Sequence, residues 1–420
     1  MSLDVPAGYH ALDNHSVRDF LNGLPDMRAR LGGKPEAWTV EEVGDGNLNL
    51  VFLVDGPDGS VCVKQSLPYV RAAGESWPLP LDRAFFEQSY YRAVGPHVEG
   101  LAPRFYHYDP LLYAFVMEKL SPHIILRRGL IEGRRYPHVA AHVGEFAARS
   151  TFATSDLGAT IEEKAEWTAS FAKNTSLIRI TAEVVFSDPL SESPRNRWTS
   201  PELDGLARDF RADSLLKGAV ADFGWRFLTS GQALIHGDLH TGSVMVTETD
   251  TRVMDPEFSF VGPIGYDVGA FLANLVMNYL AQPGHATAED DRKAQADWVL
   301  EQVPVFWSTF KTHFLALWET SARGDAYPGT MFANPADAAA LSARREAFLD
   351  GIFADAVGYA GVKTIRRILG FAHNADFERI ADPARRAPLE TRTAQLARTF
   401  LLEPHNFRTP EDIVAAARAI

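Results

Sequence analysis

The sequence predicts an α+β fold of two lobes, a β-rich amino lobe followed by a mainly helical carboxyl lobe. Three observations carry that expectation. Segments of strand character at 38–43, 48–55 and 60–65 crowd together before residue 70. From Pro137 onward apolar residues recur at helical spacing, as in Val139, Val143, Phe146 and Ala147. A short strand-rich insert at 233–253 interrupts that helical region. The 420 residues suit two to three domains, or one large bilobal unit with a sizeable core.

Each element follows from local pattern. Val17, Phe20, Leu21 and Leu24 predict a helix over 14–31, which Pro25 kinks or ends. Gly56, Pro57, Asp58 and Gly59 form the turn between the second and third strands. A loop holding Trp77, Pro78 and Pro80 precedes a helix over 81–94, whose Phe85, Phe86, Tyr90 and Val94 share one stripe. Strands at 106–108 and 113–118 complete an amino lobe of residues 1–117. Residues 118–122 read as a hinge, and 123–420 as the carboxyl lobe. Internal repeats, low-complexity tracts and heptads are missing from the sequence.

Composition narrows the function classes. Hydrophobic residues at 46% and charged residues at 23% match an ordinary globular protein and exclude a disordered or collagenous chain. Lysine plus arginine is 41 against 54 acidic residues, a net charge of −13 that repels phosphate backbones. The doublets Arg127 and Arg128, Arg134 and Arg135, Arg344 and Arg345, and Arg366 and Arg367 are short and scattered. No basic stripe results, and a nucleic-acid partner is not expected. The lone Cys62 excludes an intramolecular disulfide and a thiolate zinc site, and it reads as filler in a buried strand. The stretch 268–281 is too short to span a bilayer and contains Asn274 and Asn278. No secretory layout opens the sequence, so the expectation is a cytoplasmic protein with no membrane partner.

The richest chemistry lies in the insert. An apolar run leads into His236, Gly237 and Asp238, and a second run follows from Val244. A loop pinned between two short strands holds one carboxylate still, and Asp238 suits a general base toward an attacking hydroxyl, worth about 10²–10⁴-fold. Alone it reads first as a turn cap. Asp255 and Glu257 follow, i and i+2 on a segment expected to be extended, which puts both carboxylates on one face. Like charges that close need a cation, and Mg²⁺ takes hard oxygen ligands. His236 and His240 are four apart, but Gly237 and the flanking strands argue against a helical metal pair, so they are expected to brace the loop.

Gly44 and Gly46, flanking Asp45 and followed by Asn47, join the first two strands and would let backbone N–H groups approach a phosphate. Hairpins use the same residues without any ligand. The third glycine of Gly-x-Gly-x-x-Gly falls at Asn49. On the third strand, alternation points Cys62 and Lys64 to one face and Val61 and Val63 to the other. A lysine there needs an anion, which phosphates with Glu87 of the next helix would supply.

Glycine turn, strand lysine, helix glutamate, hinge, His-x-Asp loop and downstream carboxylates together resemble the protein-kinase-like fold. Gly237 between His236 and Asp238 is similar to its small-molecule branch, the aminoglycoside phosphotransferase-like kinases. Two departures stand out: Ser243 lies where most of that fold has a metal-binding Asn, and Asp255, Pro256 and Glu257 replace Asp-Phe-Gly. A second carboxylate at Glu257 would offset a weak or absent ligand at Ser243. That combination, with residues 44–49, 77–79, Arg344 with Arg345, and 361–367, is similar to the 5-methylthioribose kinases of methionine salvage.

The resemblance implies ATP and Mg²⁺ as cofactors, with a sugar hydroxyl as acceptor. It makes Asp238 the base and a binder of the sugar, and puts Mg²⁺ on Asp255 and Glu257. Gly44, Gly46, Asn47 and Lys64 would contact ATP, with Glu87 orienting Lys64 and the backbone of Glu118, Lys119 and Leu120 taking the adenine. Arg344 and Arg345 would face the cleft, one steadying substrate and the other the transferring phosphoryl group, and Trp77 would lie near the sugar. A homodimer is also implied. Two other readings stay open: the same fold acting on an aminoglycoside, choline-like or other sugar acceptor, and a nucleotide-binding regulatory module without catalysis.

Overall fold

The structure is a computed structural model that describes residues 5–44, 48–71 and 74–420. The amino lobe is built on a five-stranded antiparallel sheet of β1 (Thr39–Glu42), β2 (Asn49–Asp55), β3 (Ser60–Ser66), β6 (Phe105–Asp109) and β7 (Ala114–Met117), in the order β1-β2-β3-β7-β6. Between β3 and β6 lie a two-stranded ribbon, β4 (Tyr69–Val70) with β5 (Gly74–Pro78), and a helix spanning Arg83–Val94. Trp77 therefore sits on a paired strand, not in the open loop that its flanking prolines suggested.

Both faces of the sheet are covered. Period-two alternation sends Val61, Val63 and Val116 into a core with Val17, Leu21, Met27 and Leu31 of α1 (Ser16–Asn22) and α2 (Pro25–Leu31). Pro25 is the first residue of α2, so the expected single helix becomes two, the second starting where proline is tolerated. Cys62, Phe115 and Met117 point the other way, onto Ala84, Phe86 and Tyr90 of the Arg83–Val94 helix, α3. The predicted division of β3 holds, with Lys64 on the Cys62 face, where it meets Glu87 of α3.

The chain leaves β7 at Met117 and enters the helical lobe through residues 118–123 and β8 (Ile124–Ile125). Two small antiparallel ladders follow: β9 (Ala233–Ile235) with β12 (Phe260–Gly262), and β10 (Val244–Val246) between β11 (Thr251–Val253) and β8. The loops β9–β10 and β11–β12 consequently emerge side by side, clamped by the Met254 N–H donating to the Ser243 carbonyl at 2.9 Å.

Behind these loops stand the long helices α4 (Val139–Ala153), α5 (Ile264–Ala281), α6 (Lys293–Thr320), α7 (Asp337–Leu369) and α8 (Pro383–Leu402). Every residue of α5 except Tyr279 is buried, which explains its apolar sequence without a membrane. No described helix is long and apolar enough to cross one. Trp307 and Trp318 of α6 are core residues, so they offer no surface to a second copy.

Helices α5 and α7 approach closely because α5 carries glycines where they meet. A Cβ on Gly269 would lie 2.4 Å from the Ala356 carbonyl oxygen and 2.9 Å from the Tyr359 Cβ. Gly269→Ala should lower the free energy of unfolding by about 1–3 kcal/mol, the usual cost of overpacking. Urea denaturation measures it, and an unchanged midpoint would contradict close packing at this crossing.

Candidate active site

Lys64 occupies the space between the lobes. Its ammonium donates to Glu87 Oε2 at 2.7 Å and pairs with Asp255 Oδ1 from the β11–β12 loop. Burial works against its charge, but Asp255 and Glu87 outweigh that and hold it well above the usual lysine range. Burial pushes the Glu87 carboxyl up, whereas Lys64 holds Asp255 below its ordinary value in spite of burial.

Asp255 and Glu257 do not lie on an extended segment as expected. β11 ends at Val253, and Asp255 takes the left-handed conformation with φ 73°, its N–H donating to the Tyr91 hydroxyl at 3.1 Å. This bend turns both carboxylates toward Glu87, and one oxygen from each of the three lies within 4.8 Å of the others. Glu257 is 3% exposed and accepts from the Asn49 amide at 2.9 Å, with Arg83 Nε at 3.6 Å. Arg83 is itself fully buried and donates to Asn49 Oδ1 and to the carbonyls of Leu48, Leu67 and Pro80. The Asn49 amide thus binds a protein carboxylate, not a phosphate, and Arg83 escaped the sequence reading altogether.

The β9–β10 loop holds Asp238. Both oxygens of Asp267, at the start of α5, accept from the loop backbone, from His236 N–H at 2.6 Å and Gly237 N–H at 3.0 Å. Gly237 has φ +82°, and a Cβ there would meet the Phe258 carbonyl oxygen at 2.2 Å, so glycine is required. His236 packs edge-on to Tyr90 and its Nε2 meets the Met254 carbonyl at 3.0 Å. His240 Nδ1 accepts from the Gly242 N–H, leaving Nε2 to donate to Asp238 Oδ2 at 3.2 Å. Both histidines brace the loop, as expected. The Ser243 hydroxyl donates to the Asp238 carbonyl at 2.9 Å and fixes the loop.

The other oxygen of Asp238 faces Lys363 Nζ at 3.4 Å. Burial acts against the Asp238 charge, but His240 and Lys363 overcome it and hold the carboxyl well below its ordinary value. Lys363, Arg366 and Arg367 follow each other along the last turns of α7, where the negative end of the helix favours cations. Arg366 Nε is buried with no hydrogen-bond partner among the described residues, and Arg367 meets only the Ala372 and His373 carbonyls at 3.3 and 3.4 Å. Burial, then Arg366 and Arg127, act against the charge on Arg367. Arg127 completes the group, 3.6 Å from Asp376. Four cations thus stand over three carboxylates, Asp238, Asp267 and Asp376, a deficit of negative charge that a bound anion would fill.

Arg344 and Arg345 are not part of this group. They lie 19 and 18 residues before Lys363 on α7, roughly 27–28 Å along the helix. Arg344 is exposed, and Arg345 pairs with Glu319 at 3.2 Å over the Trp318 ring. The doublet in the cleft is Arg366 with Arg367. Of the remaining expected contacts, Gly44 is exposed in the β1–β2 connection, and Gly46 and Asn47 lie outside the described residues. Lys119 Nζ is held by both oxygens of Asp55 at 2.7 Å, and Glu118 binds Arg252 at 3.2 Å. The Leu120 N–H has no backbone partner among the described residues. Trp77 lies against Phe371 of the carboxyl lobe, ring centroids 5.3 Å apart.

Residues 39–301 match the model of the phosphotransferase enzyme family. The chain belongs to that family. It is 39% identical over 419 residues to a methylthioribose kinase of Escherichia coli, covering 100% of each chain. It is 41% identical to methylthioribose kinase 1 of rice, Oryza sativa, covering 97% of this chain and 95% of that one. Among solved structures, choline kinase from Cryptosporidium parvum overlaps with a TM-score of 0.47 at 11% identity, covering 91% of this chain and 95% of that one.

His240 offers a pH test of the site. Burial, only partly opposed by Asp238, pushes its imidazole from the ordinary 6.5 down to about 4. Stability tied to the neutral ring is therefore complete above pH 6.5 and is lost as pH falls toward 4. In urea titrations the wild type should lose stability relative to His240→Gln across that window. Parallel curves would show that the ring is not held neutral.

Proposed function

We propose that the chain transfers the γ-phosphoryl group of ATP to O1 of 5-methylthioribose, giving the 1-phosphate and ADP in methionine salvage. The observation that carries this is Asp238, held ionised beside an anion-deficient cluster on one side of a cleft whose other side gathers Lys64, Asp255 and Glu257. Relatives named methylthioribose kinases, similar along essentially the whole chain, support the choice of acceptor. The cations at the acceptor end also disfavour aminoglycosides and choline, which are positively charged themselves.

In this reading Asp238 accepts the proton of the acceptor hydroxyl as its oxygen bonds to phosphorus. The bond from phosphorus to the bridging oxygen breaks, ADP leaves with the electron pair, and the proton passes on to solvent. Of Arg366 and Arg367, one steadies the substrate and the other meets the charge on the transferred group, the roles that the resemblance gave to Arg344 and Arg345. Lys64 binds the nucleotide phosphates, Glu87 orients it, and the backbone of 118–120 takes the adenine.

Asp255 and Glu257 would hold Mg²⁺, and hard carboxylate oxygens suit it. Glu87 Oε1, buried with no hydrogen-bond partner among the described residues, is a further sign that the acidic group is short of a cation. Bound there, the ion neutralises charge on the phosphates. Trp77 with Phe371 lies near the sugar. The proposal includes a cytoplasmic enzyme working as a homodimer, and the exposed Leu215, Trp225 and Leu228 would suit a face covered by a second copy.

ADP release with Mg-ATP across 5-methylthioribose, ribose, kanamycin and choline tests the acceptor. Turnover is expected on 5-methylthioribose, and turnover on kanamycin or choline alone would refute it. Asp238→Asn should lower kcat by about 10² or more with ATP affinity nearly intact. The two arginine pairs can be separated as well. Arg366→Met should reduce kcat/KM at least tenfold, as expected for losing a charged hydrogen bond of roughly 1.5–3 kcal/mol. Arg344→Ala should stay within about twofold of wild type. Equal losses in both variants would return Arg344 to the site.

A further inference from the structure

Lys363 is a buried ammonium on α7 that neither the family's metal carboxylates nor the nucleotide side of the cleft explains. Its side chain is 6% exposed. The ring of Tyr266 lies beneath its Nζ at 4.0 Å, a cation–π contact that fixes where the charge sits. The nearest carboxylate of α5, Asp267, has both oxygens committed to the His236 and Gly237 N–H groups. One carboxylate oxygen remains within reach, Oδ1 of Asp238. The opposite oxygen of Asp238 is taken by His240, so the carboxylate is bracketed on both sides by groups from different elements.

We propose that Lys363 is the positioning residue of Asp238, holding its carboxylate ionised and fixed in orientation toward the acceptor hydroxyl. This rests on the assignment of Asp238 as the base. The neutral His240 supplies direction on one oxygen, and Lys363 supplies charge on the other. A cation at this distance lowers the pKa of a carboxylate by about 1–3 units. Removing it should leave the base protonated at pH values where the wild-type enzyme is active. The titratable and charged groups facing the Lys363–Asp238 pair are His240 from the same loop as Asp238, Asp255 from the β11–β12 loop, Tyr266 and Asp267 from α5, Arg366 and Arg367 from α7, and Arg127. The two α7 arginines repel Lys363, which leaves Asp238 as its principal stabilising partner.

The test compares Lys363→Met, Lys363→Arg and Asp238→Asn in the full chain with Mg-ATP and 5-methylthioribose, reading kcat, both KM values and the pH profile of kcat/KM. Lys363→Met should lower kcat by about tenfold, leave the KM for ATP within about twofold, and move the acidic limb upward by about one pH unit. Lys363→Arg should return the limb toward wild type. Lys363→Gln serves the same measurements if the methionine variant does not fold. A role limited to packing would change thermal stability without moving the limb. An unmoved limb and wild-type kcat in the neutral variants, with Asp238→Asn inactive, would overturn the role of Lys363 alone. A fully active Asp238→Asn would instead overturn the assignment of the base beneath it.

Discussion

The cleft depends on keeping one ammonium, that of Lys64, charged without water. An ion taken out of solvent costs several kcal/mol unless its partners repay it in good geometry. Here Glu87 comes from the same lobe and Asp255 from the other, so satisfying Lys64 also ties the lobes together. A second tie runs parallel, from Asn49 and Arg83 to Glu257. Glu87 is itself buried, so deleting it leaves Lys64 uncompensated, a loss of about 3–5 kcal/mol, whereas the Asp255 side chain is 42% exposed and solvent screens its share. The left-handed bend at Asp255 goes with this pairing, its carboxylate on Lys64 and its N–H on the Tyr91 hydroxyl.

The two sides of the cleft carry opposite imbalances. Around Lys64, three carboxylates exceed the cations that meet them; around Asp238, four cations exceed the carboxylates. A net charge of −13 conveys neither, because charge averaged over a whole surface is blind to a group buried among few neighbours. The separation suits a ligand that brings a cation to one end and a transferable anion to the other.

How much was legible in the sequence follows from the range of each interaction. Lys64 was placed by strand alternation, a local rule, and Asp238 by a loop between two apolar runs. The bilobal α+β fold followed from the same periodicities. Asn49, Arg83 and Lys363 act on residues more than a hundred positions away in most cases, and no spacing signals that. The arginine doublets were indistinguishable as doublets. Their surroundings were not: Arg344 and Arg345 are flanked by Ala343 and Glu346, with Ser342 and Ala347 beyond, whereas Arg366 and Arg367 sit among Val362, Ile365, Ile368 and Leu369. A cation inside an apolar helical run has to be buried, and so has to face an anion or a site for one. The role of Ser243 stayed open for a related reason, since a small hydroxyl braces a loop as readily as it binds a metal.

Helix α7 is continuous from Asp337 to Leu369, and its three cleft cations are spaced i, i+3 and i+4. They therefore share one rotational phase, set by the packing of the preceding turns against α5. A one-residue insertion or deletion upstream would turn all three together by about 100°, away from Asp238. The exposed first turns around Arg344 have no such constraint. A change in the length of this helix would thus be tolerated only at its beginning, before the buried turns lock the phase.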